Sequence, residues 1–262
     1  MKYTFFKHKH AVFAFLTILC LIVPAGCGSK KPKTPVQTGN SSGDYVARID
    51  FKDFGSISVN IYASASKQAA EDFVRLANAG YYNGHSVKTV IDDYAILISA
   101  GDDDEAGAGA GAADASAGDT QIGPDTETAT FADGINSDFY PFRGALCITD
   151  SGKGISADQF MIVTSDTEFL TELETLLAYR KITPAEYYKT AYGTELDEET
   201  LSLFEKYGGA PWLYGHCIVF GQVSEGFDVL EAISGVEVED GNTYSPLEDI
   251  IIESVSIENI NK

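Results

Sequence analysis

Residues 46–61 alternate apolar and polar side chains on both sides of a short turn, and this pattern restricts the fold more than any other. Val46, Ile49 and Phe51 lie in the first run; Ile57, Val59 and Ile61 follow at strict period two. Period two fits a strand, whose successive side chains point to opposite faces. With Asp53-Phe54-Gly55 as the turn, the segment predicts an antiparallel β-hairpin. From Ser66 to Ala79 the period lengthens, placing Ala69, Phe73, Leu76 and Ala77 on one helical face, and Gly80 follows as a helix-ending glycine. After the tight turn Tyr81-Tyr82-Asn83-Gly84, strands resume through Val87, Val90-Ile91 and Ile96-Leu97-Ile98. The alternation points to an α+β or mainly β domain beginning near Tyr45.

Two insertions break the rhythm. Residues 102–130 open with Asp-Asp-Asp-Glu and continue as an Ala/Gly repeat with no bulky side chain, so they predict a mobile, acidic surface loop. Residues 166–211 are helical in pattern. Phe169, Leu173, Leu176 and Leu177 form a stripe, and Thr183-Pro184-Ala185-Glu186 reads as N-cap, N1 proline and N3 glutamate. Gly208-Gly209 ends the helical pattern. Strands return at Cys217–Phe220, a short helix is expected over 227–233, and residues 250–257 close the domain.

The N-terminus indicates the compartment. Lys2, Lys7 and Lys9 precede the uncharged run Ala11–Val23, which suits a signal-peptide core and is short for a membrane span. Pro24-Ala25-Gly26-Cys27 resembles a bacterial lipobox, although Pro24 stands where an aliphatic residue is preferred. Residues 1–26 then read as a lipoprotein signal peptide, with Cys27 as the lipidation site. Residues 27–44, rich in Pro, Gly, Ser and Lys, read as a flexible tether, and 45–262 as the folded domain. This places the protein outside the cytoplasm, anchored to the membrane by lipid.

Charge and motif spacing exclude several functions. The chain has 39 acidic and 18 basic residues, a net charge of −21; losing residues 1–26 removes three lysines and moves it to −24. A nucleic-acid binder needs clustered Lys and Arg instead. Only His85 and His216 remain beyond the leader, too few for a histidine-rich metal site. Gly107-x-Gly109-x-x-Ala112 mimics a dinucleotide loop, but Asp102–Glu105 would repel a pyrophosphate. The same acids fail as an EF-hand, with Ala106 at the fifth place and Ala113 at the twelfth. His216 and Cys217 are strand neighbours facing opposite ways, so they form no dyad. Cys147 and Cys217 are either one disulfide or two buried thiols. No cofactor or metal is implied.

Several blocks in order resemble a cyclophilin-type peptidyl-prolyl isomerase. They are Gly55-Ser56-Ile57, Ala70-Glu71-Asp72-Phe73-Val74, Gly80-Tyr81-Tyr82-Asn83-Gly84, Arg143-Gly144-Ala145-Leu146 and Asp158-Gln159-Phe160-Met161-Ile162. Leu213-Tyr214-Gly215-His216, Val219-Phe220-Gly221-Gln222-Val223 and Pro246-Leu247-Glu248-Asp249-Ile250 complete the set. The resemblance implies a mainly β fold: a closed eight-stranded antiparallel barrel capped by helices, here carrying an acidic loop and a helical insertion of the kind seen in Gram-positive lipoprotein members.

It also implies a groove for proline-containing segments of exported or surface proteins, bound by a monomer. By alignment, Thr89 occupies the place of the family's catalytic Arg. Ile96, Leu97, Met161 and Leu213 correspond to the apolar pocket, and Trp212 to the family's Trp or His. Ser99 replaces a groove Gln, Cys217 a groove His, and Thr149-Asp150 an Ala-Asn pair; Gln159 is kept. Asp158 stands at the family's Ser. Lys88 neighbours Thr89 but is expected to face away, and Arg48, Arg75 and Arg143 read as surface or structural. Three functions follow: an isomerase slowed by the loss of Arg, an inactive peptide-binding chaperone, or a surface scaffold lipoprotein.

Overall fold

The computed structural model describes residues 35–38, 43–99, 130–150, 155–239 and 243–260. Cys27, the leader and the acidic Ala/Gly stretch 102–129 lie outside the described residues.

Strands β1 (Tyr45–Phe51) and β2 (Gly55–Ile61) pair antiparallel in unbroken register. Their buried face is Ala47, Ile49 and Phe51 beside Ile57, Val59 and Ile61. Val46, grouped with Ile49 and Phe51 in the first run, pairs with Asn60 on the other face, because period two from Ile49 selects Ala47. Helix α1 (Lys67–Asn78) buries Ala69, Phe73, Leu76 and Ala77, and Gly80 follows its cap at φ +73°, which a glycine adopts without strain.

The remaining strands are β3 (Val87–Ile91), β4 (Ala95–Ser99), β5 (Ala145–Thr149), β6 (Gln159–Val163), β7 (Cys217–Glu225) and β8 (Ile252–Asn259). All eight form one antiparallel sheet in the order β3-β4-β6-β5-β7-β2-β1-β8. Its two edge strands meet at one end. The Val87 N–H donates to the Ile250 carbonyl at 2.9 Å, while the Gly84 and Ile252 N–H groups donate to the Ile252 and His85 carbonyls at 2.8 Å each. These bonds satisfy edge groups and curl the sheet into a barrel. Inside, Phe73 packs its ring against Tyr82, Phe160 and Phe220 at centroid distances of 5.3, 5.6 and 5.5 Å.

The helical insertion contains α2 (Thr167–Tyr179), α3 (Pro184–Tyr192) and α4 (Glu198–Tyr207); α5 (Phe227–Ser234) follows β7. Side chains cap the insertion helices: Asp166, Thr183 and Asp197 accept from the N–H groups of Phe169, Glu186 and Thr200. On α2 the fully buried positions are Leu170 and Leu177, whereas Leu176 is 40% exposed, so the buried stripe is rotated from the one the sequence suggested. Gly209 (φ +114°) runs so close to Pro141 and Phe142 that a Cβ would collide with their backbone, which explains the glycine after α4.

The tether boundary also shifts. Val36–Thr38 form one turn of 3-10 helix with Gln37 buried. The Gln37 carboxamide donates to the Tyr140 carbonyl (2.9 Å) and Gln222 Oε1 (3.1 Å), and accepts from the Tyr140 N–H (2.7 Å). A side chain satisfied this fully docks residues 35–38 onto the barrel, so they are not part of a free linker.

Candidate functional site

Cross-strand pairing sorts the expected site residues by face. Thr89 pairs with Leu97, Leu97 with Met161, Met161 with Cys147 and Cys147 with Val219. Directly paired residues share a face, so these five form one row across four strand junctions on the outside of the barrel. The next row is Val90, Ile96, Ile162 and Leu146, all within the interior core. Ile96, expected in the groove, is therefore an interior residue with no exposure. Alternation allows only one of Ile96 and Leu97 to face outward, and Leu97 takes that position.

A pocket of about 50 Å³ opens beside the outer row. Leu97, Met161 and Cys147 give it an apolar floor, while Thr149, Gln159 and Asp158 supply its polar side. The volume is far below that of a drug-sized site and matches one small ring or side chain. Ser99 pairs with Gln159 one row further along, and Asp150 follows Thr149 at the exposed end of β5. Leu213 and Cys217 join the same outer apolar cluster as Met161 and Cys147.

Trp212 belongs to that cluster but does not line the pocket. Its ring is surrounded by Tyr94, Phe169 and Tyr192, with centroids 5.5, 6.2 and 6.1 Å away, and its carbonyl accepts from the Thr194 hydroxyl at 3.0 Å. The helical insertion has thus absorbed a residue expected to touch ligand. Tyr94, which sequence reasoning did not single out, sits in the turn between β3 and β4. Burial pushes its phenol up to about 12, partly offset by a hydrogen bond from Trp212. Its ring contact with the Trp212 indole was invisible in the sequence, where the two residues are far apart.

Cys147 in the row and Cys217 beside it are buried free thiols. Burial raises the Cys147 thiol well above its usual range, and contact with Cys217 adds to the effect. A thiol so raised, as at Cys147, is a poor nucleophile near neutral pH.

Thr89 is half-buried and directly opposite Leu97. The ladder slips between Val87 and Thr89, leaving Lys88 as the extra residue. Its charge falls on His85, whose ring is held below its ordinary pKa first by burial and then by Lys88. Arg75 pairs with Asp72 at 2.6 Å, Arg48 with Asp50 at 2.9 Å, and Arg143 lies over the Phe227 ring. No Lys or Arg lines the pocket among the described residues.

The loop feeding β6 is fixed from behind. The Tyr82 hydroxyl donates to the Ala157 carbonyl at 2.7 Å in a buried bond, while Asp72 Oδ2 accepts from the Ala157 N–H at 2.9 Å and the Ser156 hydroxyl at 3.4 Å. Both anchors come from blocks on which the family resemblance rests. They set where Asp158 and Gln159 emerge.

The family description "Cyclophilin type peptidyl-prolyl cis-trans isomerase/CLD" matches residues 46–257. A protein of Staphylococcus aureus strain USA300 named "Putative peptidyl-prolyl cis-trans isomerase" is 26% identical over 204 residues, 78% of this chain and 87% of the relative. A protein of the same name from Staphylococcus saprophyticus is 26% identical over 216 residues, 82% of this chain and 93% of the relative. Among solved structures, a cyclophilin type peptidyl-prolyl cis-trans isomerase of Cryptosporidium parvum, crystallised in the presence of the dipeptide Ala-Pro, is 18% identical. It covers 81% of this chain and 98% of its own, with a TM-score of 0.48.

Proposed function

The chain belongs to the cyclophilin-type peptidyl-prolyl cis-trans isomerase family, and from that premise we propose that its outer groove turns X–Pro bonds of exported or surface proteins, slowly. In this reading a lipid on Cys27 holds the protein at the outer side of the membrane. The observation that carries the proposal is the outer row Thr89–Leu97–Met161–Cys147 with the small pocket beside it.

The chemistry requires no bond cleavage. An X–Pro amide rotates through a twisted state against a barrier of about 18–20 kcal/mol. Uncatalysed, this takes roughly tens to hundreds of seconds. Twisting ends amide resonance and leaves the prolyl nitrogen pyramidal and basic. An apolar seat that grips the pyrrolidine ring, with a donor aimed at that nitrogen, favours the twisted state over the planar one. Leu97 and Met161 provide the seat, and Gln159 at its rim is placed to hold the peptide backbone. Thr89 offers a short neutral hydroxyl where the family uses a cation. Losing one preorganised donor commonly costs about 10²–10³ in rate.

Thr89 also favours a second reading, in which the groove holds proline-containing segments without turning them. NMR exchange between the cis and trans forms of an Ala-Pro peptide separates the two. The proposal expects faster exchange with the unmodified protein and a further gain in Thr89→Arg. Binding without acceleration, rescued by Thr89→Arg, means a holding groove. Neither binding nor rescue removes both groove readings and leaves a surface scaffold.

A further inference from the structure

We propose that the groove selects proline-containing segments with a Lys or Arg directly after the proline, and that Asp158 is the residue that selects them. The inference rests on the X–Pro reading above and names its substrate class.

Asp158 is the only charged side chain lining the pocket among the described residues. It is half-exposed, and its N–H donates to Ser156 Oγ at 3.4 Å. The Ala157 bonds to Tyr82 and Asp72 fix the residue before it on both sides. The backbone that carries the Asp158 side chain to the pocket is thus fixed by hydrogen bonds on its N-terminal side. Of the ion pairs among the described residues, none involves Asp158, and Arg75 nearby is committed to Asp72 at 2.6 Å.

The surrounding positions shift charge in the same direction. Relative to the family pattern, Thr89 removes a positive charge, Asp158 replaces a neutral Ser, and Asp150 at the end of β5 replaces a neutral Asn. Of these, Asp158 alone lines the pocket, so the one charge there is negative. Over the whole chain the net charge of −21 extends that sign beyond the pocket. A cationic peptide gains from both terms: a short-range pair at the mouth and long-range steering toward the protein.

The test uses three Ala-Pro peptides that differ only in the residue after proline: Lys, Gln or Glu. Affinity is read from NMR shift titrations and turnover from cis–trans exchange, at low salt and at 1 M salt. An exposed pair supports about a 1.5- to fivefold preference for Lys over Gln, with Glu weaker again. The preference should shrink at 1 M salt, vanish in Asp158→Asn and reverse toward Glu in Asp158→Lys. A residue that only shaped the loop would not invert the order. Equal affinities for all three peptides overturn the inference while leaving the X–Pro reading intact. No binding of any peptide removes that reading and the inference with it.

Discussion

Ile96 and Leu97 are neighbours on β4 and face opposite sides of one sheet. Ile96 has no exposure and lies between Val90 and Ile162 in the barrel core. Leu97 is half-exposed, lies between Thr89 and Met161, and lines the pocket. The inner row answers to volume: aliphatic side chains of any nearby shape fill it, and alternation alone demands them. The outer row answers to chemistry, and in the proposed function it is the face a bound peptide would meet. Thr89 lies in this outer row, opposite Leu97.

Substitution at the neighbouring pair should separate the two faces most sharply. Ile96→Ala is expected to cost about 2–5 kcal/mol of stability, the usual price of a cavity in a packed core, with groove affinity per folded molecule unchanged. Leu97→Ala should cost roughly 1 kcal/mol or less and weaken peptide binding. Urea unfolding and peptide titration on both variants measure this, and similar losses of stability would break the distinction. Next in size is Tyr82→Phe, which leaves the buried Ala157 carbonyl without its partner. The expected cost is about 1–3 kcal/mol, accompanied by faster amide exchange at residues 156–159 and weaker binding.

The helical insertion supplies a third region for comparison. Thr183→Ala removes the α3 cap and should cost about 1 kcal/mol, detectable as local hydrogen exchange in α3 without change at Leu97 or Met161. The smallest effect is in pH. Burial and Lys88 make the folded state bind a proton at His85 less readily than the unfolded chain. The stability contributed by the neutral ring is complete well above 6.5, the unfolded value, and declines as pH falls through it. His85→Asn should flatten that part of a thermal-unfolding profile, and an unchanged slope would contradict it.

The sequence revealed individual strands and helices because their signals are repeated and local, whereas the barrel was implied by the family resemblance. Alternation placed β1 and β2, a helical face and Gly80 bounded α1, and Thr183-Pro184 opened α3. The site was less legible because its facts depend on register. Aligning Ile96 with a pocket residue ignored which face it would occupy once β4 paired with β3 and β6. Trp212 could not be placed before the insertion was seen to fold around it, since Phe169 and Tyr192 reach it through tertiary packing. Gln37 sat in a stretch whose composition suggests a linker, and only its bonds to Tyr140 and Gln222 reveal the docking.

The most direct test follows methyl signals while an Ala-Pro peptide is added. The Leu97 δ-methyls and the Met161 ε-methyl should shift and show contacts to the proline ring, while the Ile96 and Ile162 δ1-methyls on the inner row stay in place. Proline contacts on the helical insertion, or shifts of the inner methyls without those of Leu97 and Met161, would contradict a groove on the outer face.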